Sequence, residues 1–219
     1  MPDLTLYFSP RACSLACHVV LEESGLEFSA MPVRIRKDEH RRPEYLAVNP
    51  WGKVPALVVD GRTLTETPAI LTLIADLAPV APPLLPRGPA LERARGHEWM
   101  SFLSSTVHPV FRPFFRPYLM LDEPAMYPRL RETGLPLYRK TLLEVDRRLA
   151  GRRWALGENY SVCDAYLLVF HIWCQREDMV GYAPDLPHWA EHRARMEDRP
   201  ATQRAFAREG LSDANIRDP

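Results

Sequence analysis

Pro79, Pro82, Pro83, Pro86 and Pro89 crowd the stretch from Ala78 to Pro89. No helix interior or central strand tolerates that density, because each proline lacks an N–H and its ring clashes with the preceding turn. The hydrophobic pattern changes across this stretch: short apolar runs and amphipathic segments precede it, and only helical spacing follows. The break is read as a linker, residues 79–89, between a first domain of residues 1–78 and a second of residues 90–219. A chain of 219 residues has room for one large or two small domains, and the linker decides for two.

The first domain reads as mixed α/β. Leu4 to Phe8 is a short buried strand, and Ser14 to Ser24 is an apolar-periodic helix that Gly25 stops. Phe28 to Ile35 reads as a second strand, residues 37–42 as a polar loop, and Pro43 to Val48 as a short helix. Val54 to Val59 and Arg62 to Leu64 are strands joined at Asp60-Gly61, a dipeptide suited to tight hairpin turns. A last helix begins at about Glu66 to Ala69 and runs to Leu77. Beyond the linker, Leu91 to Tyr118, Tyr127 to Leu149, Ser161 to Glu177 and Trp189 to Met196 carry helical spacing, which predicts an all-α unit.

Charge narrows the function classes. Lys+Arg 28 against Asp+Glu 28 gives a net charge of +0, which offers a polyanion no electrostatic footing and argues against nucleic acid as a partner. The apolar fraction of 46% suffices for a packed core, while no uninterrupted apolar run suggests a membrane span. Met-Pro-Asp-Leu-Thr at the start lacks the basic-then-apolar pattern of a signal peptide, so a cytoplasmic protein is expected. Cys13, Cys17, Cys163 and Cys174 show neither CxxC pairing nor zinc-ligand spacing, so neither a metal site nor structural disulfides are expected.

Thiol chemistry is the first candidate. Tyr7 to Ala16 runs from an apolar strand through a proline turn and places Cys13 at a helix start. The first-turn N–H groups and the helix dipole favour an anion there, so this thiol is expected to be more acidic than the free value of about 8.5. Asn49-Pro50-Trp51-Gly52-Lys53-Val54-Pro55 places a proline at the start of a buried strand. A trans bond makes it an ordinary loop end, whereas a cis bond leaves the Val54 backbone able to pair with an extended ligand. Glu66-Thr67-Pro68 opens the next helix, with Thr67 as cap and Pro68 at the first helical position; its N–H groups can hold a carboxylate. Cys17, four residues after Cys13, is read as a packing residue, and His18, His97, His171, His188 and His192 take no role.

Cys13 at the first strand-to-helix turn, Asn49-Pro50-x-Gly52-x-Val54-Pro55, Glu66-Thr67-x-Ala69-Ile70, the proline-rich linker and a helical remainder together resemble a cytosolic glutathione S-transferase. Ser9-Pro10-x-Ala12-Cys13-Ser14-Leu15-Ala16 is most similar to the bacterial beta class, and Ser161-Val162-Cys163-Asp164-Ala165 resembles the family's N-capping box. The resemblance implies an α/β thioredoxin-like N-terminal domain with a cis bond before Pro55, an all-α C-terminal helical domain with a hydrophobic co-substrate site, and a homodimer. Glutathione is the implied co-substrate. By the same resemblance, Val54 and Pro55 pair its cysteinyl backbone, and Glu66 and Thr67 receive its γ-glutamyl ammonium and carboxylate. Lys53 faces its glycyl end, Cys13 faces its sulfur, and His108 with Ser105 one turn earlier supplies polar groups nearby. Four positions depart from the family pattern: Pro109 stands where a lysine is common and is expected to kink the helix, Trp51 stands where a lysine and Cys17 where a proline is common, and Asp38 adjoins Lys37, which takes no role. The implied activity is transfer of glutathione to a small hydrophobic electrophile. The alternatives are glutathione-dependent thiol–disulfide exchange through a Cys13 mixed disulfide and a noncatalytic interaction protein with this fold.

Overall fold

Leu4, Leu6 and Phe8 point to one side of β1 (Leu4–Phe8) and are buried, with half-buried Thr5 and Tyr7 between them. This period-2 pattern places one face on the core. The structure, a computed structural model, describes residues 2–212 and 215–216; residue 1, 213–214 and 217–219, at the outer edges of the two expected domains, lie outside the described residues. β1 pairs in parallel with β2 (Ser29–Pro32) and antiparallel with β3 (Ala56–Val59), which pairs antiparallel with β4 (Arg62–Thr65), giving the order β2-β1-β3-β4. α1 (Ser14–Ser24) joins β1 to β2, and α2 (Pro43–Leu46) and α3 (Thr67–Leu77) complete the thioredoxin-like layer.

β2 is shorter than the expected Phe28 to Ile35 strand. Its residues are mostly exposed and it ends at Pro32, which cannot donate to a ladder, so the chain leaves the sheet edge and forms 3₁₀ turns at Ile35–Lys37 and Glu39–Arg41. β3 likewise starts at Ala56, two residues later than expected, because Pro55 has no N–H to give the sheet.

α1 is buried from Ser14 through Leu21. A helix covered all round must pack on both sides. α1 does so between the sheet and α3 on one side and α8 (Val162–Cys174) and α10 (Pro200–Glu209) on the other. Leu6, Leu15, Leu57 and Ile70 consequently share one continuous core with Leu167 and Phe170 of α8.

The helical part runs α4 (Ala90–Phe102), α5 (His108–Val110), α6 (Arg112–Phe115), α7 (Tyr127–Leu149), α8, α9 (Pro187–Glu197) and α10. The expected single helix from Leu91 to Tyr118 is broken by a π turn at Leu103–Val107, where the His108 N–H bonds the Leu103 carbonyl. Pro109 explains the break: its ring would strike the carbonyl four residues back, and the wider turn ahead of it removes that clash. Pro117 then ends the helical path by forcing Arg116 to φ −141 and ψ 54. α8 begins with its expected capping box, in which Asp164 accepts bonds from the Ser161 N–H and hydroxyl.

Candidate active site

The turn from β1 to α1 carries Arg11 at φ 64 and is pinned locally by Ser14, whose hydroxyl accepts from the Ser9 N–H at 3.1 Å and donates to the Ser9 carbonyl at 3.2 Å. Cys13 follows as the residue capping α1, half-buried, with its thiol donating to the Val54 carbonyl at 3.4 Å. The Thr67 hydroxyl also reaches this sulfur. The expectation of an acidified thiol is overturned: burial pushes Cys13 up from its ordinary range and outweighs the Thr67 hydroxyl and the Arg116 charge. Cys17 is fully buried and pushed up further by the same cause, which suits a packing role.

The Val54–Pro55 bond is cis, and Val54 is 7% exposed. The loop ahead of it is held by the Lys53 carbonyl, which accepts from the Asn49 side-chain amide at 2.7 Å and from the Tyr45 hydroxyl. Burial pushes the Tyr45 phenol up to about 12, so it stays protonated as a donor. Gly52 at φ 59 cannot be replaced cheaply, because a Cβ there would lie 2.8 Å from the His40 carbonyl oxygen. The Lys53 ammonium is exposed beside the Trp51 ring, 5.8 Å from its centroid.

At the start of α3 the cap is Glu66 and not Thr67, a shift of one residue that puts Thr67 at the first helical position and Pro68 after it. Glu66 adopts φ 70 and ψ 118, a conformation that costs a side-chain-bearing residue of order 1–3 kcal/mol and commonly marks a functional turn. Its carboxylate is exposed while Thr67 is 5% exposed, and Pro68 contributes no N–H, so the Thr67 and Ala69 amides are the donors facing outward.

His108 sits against rings and not against the thiol: Trp173 lies at 5.1 Å and Phe170 at 5.7 Å. Burial, with the charges of Arg112, Arg116 and Lys53, pulls its imidazole down to about 4, so the ring is neutral at neutral pH. Ser105, in the π turn, gives its hydroxyl to the Ser101 carbonyl at 2.7 Å and is not brought to the thiol.

Residues that motif reading does not find complete the site. Tyr166 of α8, 1% exposed, shares the Thr67 hydroxyl with Cys13. Trp173 donates its indole N–H to the Arg11 carbonyl at 2.7 Å, and Glu209 accepts from the Arg11 N–H at 3.2 Å while contacting His18 at 3.0 Å. The helical part thus holds the turn that presents Cys13. No sequence pattern pairs residues so distant. Among the described residues no group of three or more His, Cys, Asp or Glu side chains could hold a metal ion, and no helix is long and apolar enough to cross a membrane.

The profile of the glutathione S-transferase N-terminal domain matches residues 10–77. Glutathione S-transferase GstA of Escherichia coli O157:H7 is 35% identical over 210 residues, which cover 95% of this chain and 100% of that protein. A bacterial beta-class glutathione S-transferase of Sphingomonas chungbukensis superposes with a TM-score of 0.81 at 36% identity, covering 95% of this chain and 100% of its own. A sphingomonad glutathione S-transferase, complexed with glutathione, does so with a TM-score of 0.80 at 36% identity and the same coverages, 95% and 100%.

Proposed function

The chain belongs to the glutathione S-transferase family and is a glutathione S-transferase, and from that premise we propose how its residues take up glutathione and a hydrophobic electrophile. The observation that carries the reading is the convergence of the Cys13 thiol, the Val54 carbonyl and the Thr67 hydroxyl at the N-terminus of α3. The Val54 backbone pairs the cysteinyl residue of glutathione, Glu66 takes its ammonium, the Thr67 and Ala69 amides take the γ-glutamyl carboxylate, and Lys53 takes the glycyl carboxylate. The glutathione sulfur then lies at Cys13, whose S–H turns from the Val54 carbonyl to donate to the thiolate.

In the reaction the glutathione thiol gives its proton to solvent, the thiolate forms a bond to an electrophilic carbon, and the leaving group departs with its electron pair. Neutral His108, packed on Trp173, which in turn meets Phe115, supports a role in walling the electrophile side of the cleft. Thiol–disulfide exchange through Cys13 is not favoured, because a thiol held protonated by burial is a poor attacking group. Cys13→Ala is accordingly expected to retain conjugating activity within about tenfold of the parent, a loss on the scale of one hydrogen bond to a charged sulfur. Abolished conjugation would show instead that Cys13 is indispensable to it.

The division at residues 79–89 belongs to the same proposal, supported by α3 ending at Leu77 and α4 beginning at Ala90. So do a homodimer, supported by Trp51 at 81% exposure and by exposed Leu137 and Leu143 on α7, and a cytoplasmic setting, supported by four free thiols. The direct test is calorimetric titration with glutathione. Glu66→Ala is expected to weaken binding about tenfold, as loss of one exposed charge-assisted contact should; unchanged affinity would remove Glu66 from the site.

A further inference from the structure

We propose that Glu209, the last residue of α10, is a positioning residue for the transfer reaction: through the Arg11 peptide it sets where Cys13 offers its S–H to the glutathione sulfur. The inference rests on the transferase reading above and adds a residue which that reading does not use.

Pro10 and Arg11 are the two central residues of the turn that the Ala12 N–H closes on the Ser9 carbonyl at 3.0 Å. Proline suits the first of these positions, and at the second the chain takes φ 64, which glycine and asparagine adopt most readily. An arginine keeps that conformation only while its surroundings hold it. Both of its backbone groups reach the helical half: the N–H donates to Glu209 Oε2 at 3.2 Å, and the carbonyl accepts from the Trp173 indole at 2.7 Å. Its guanidinium donates to the Asn215 carbonyl at 2.8 Å, and the Asn215 amide folds back onto the Gly210 carbonyl at 2.9 Å, directly after Glu209.

The second oxygen of Glu209 lies 3.0 Å from Nδ1 of His18, within α1. One carboxylate therefore grips the chain just before Cys13 and again one turn into the helix that Cys13 begins. Stability alone gives no reason for an acid at this place. The side chains of Glu209 and His18 are completely buried, and the carboxylate stands at the negative end of the α10 dipole. Burial and dipole both oppose it, and an apolar pair of the same size commonly matches or exceeds such a buried ion pair in stability. What the acid supplies, and an apolar side chain cannot, is an acceptor on each side of Cys13, and so a fixed direction for its S–H.

The test is a double-mutant cycle on conjugation of glutathione to a chlorodinitrobenzene. The thiolate adds to the chlorine-bearing carbon, chloride leaves with the C–Cl electron pair, and the thiol proton passes to buffer. Glu209→Met keeps the volume and removes both acceptors. It is expected to lower kcat about three- to tenfold, up to but not beyond the loss in Cys13→Ala. Calorimetry should find its glutathione Kd within about twofold of the parent, because Lys53, Val54 and the start of α3 still hold the ligand. In the Cys13→Ala background the same substitution should change kcat less than about twofold, since the group it positions is gone. Glu209→Gln, whose amide accepts from Arg11 and donates to His18, should keep kcat within about twofold of the parent. Circular dichroism checks the fold; if Glu209→Met unfolds by stranding the imidazole, Glu209→Met combined with His18→Leu takes its place, with the same results expected. Unchanged kcat in the folded variant, or losses that multiply in the Cys13→Ala background as independent structural damage does, would overturn the proposal and leave the transferase reading standing. Wild-type protein that neither binds glutathione nor conjugates it would sink both.

Discussion

Replacing Asp164 with alanine is expected to lower the unfolding free energy by about 3–5 kcal/mol, the largest effect of any single substitution considered for this chain. The carboxylate is completely buried. One oxygen accepts from the Ser161 N–H and hydroxyl, both at 2.8 Å, and the other from the Ala155 N–H at 2.7 Å, with His192 Nε2 at 2.8 Å. Alanine strands those partners in the core with no water to replace the lost acceptor. Asp164→Asn, which keeps one acceptor, should recover part of the loss. Urea unfolding followed by far-UV circular dichroism checks this, and a loss below about 1 kcal/mol would mean that the partners re-pair without the carboxylate. Function should follow stability, because α8, whose start Asp164 fixes, carries both Tyr166 and Trp173 to the Cys13 turn.

Much of this architecture was legible in the sequence because its signals are local. Gly25 at φ 70 stops α1, Asp60-Gly61 makes the β3–β4 turn with both residues at positive φ, and Ser161 with Asp164 forms a capping box from residues three apart. The residues from Lys53 to Thr67 were singled out for a related reason: each sits in a short motif that fixes backbone geometry. What was missed falls into two kinds. α10 was overlooked although Pro200 near its start and Gly210 after its end are standard boundary signals, because its few buried positions, Ala201, Thr202, Ala205 and Glu209, include two polar residues and so dilute the apolar period. The break after Phe102 was foreseen only as a kink, since one proline does not reveal which hydrogen-bond register the preceding turn adopts.

The other kind is long-range. Cys13 was placed correctly at a helix start, yet the acidity of its thiol depends on what covers it, and Thr67 and Tyr166 arrive from α3 and α8. His108 was singled out by position as a polar group near the thiol, and burial among rings with cations nearby keeps it neutral at neutral pH. Local pattern fixes which backbone groups are offered to a ligand, whereas packing between the two halves sets the electrostatics they work in.

The same separation governs acid stability, where the second large effect is expected. His171 of α8 is 3% exposed, lies 5.5 Å from the Trp189 ring, and has no hydrogen-bond partner at either ring nitrogen among the described residues. Burial, then the charges of Arg193 and His192, pulls its imidazole down to about 3. Between that value and the unfolded value of about 6.5 the unfolded chain binds a proton that the folded chain does not, so unfolding free energy falls as pH falls through this window. At about 1.4 kcal/mol per unit, His171 should remove about 2–3 kcal/mol between about pH 7 and pH 4.5. His108, also held down, adds to the loss, and Glu209, whose carboxyl burial pushes up, opposes it. His171→Phe separates these contributions, because the ring keeps its contact with Trp189 and cannot take a proton. Urea unfolding at both pH values should show the variant losing about 2 kcal/mol less than the parent on acidification. Equal losses would mean that α8 opens to water around His171 before the rest of the fold gives way, so that its burial no longer opposes protonation.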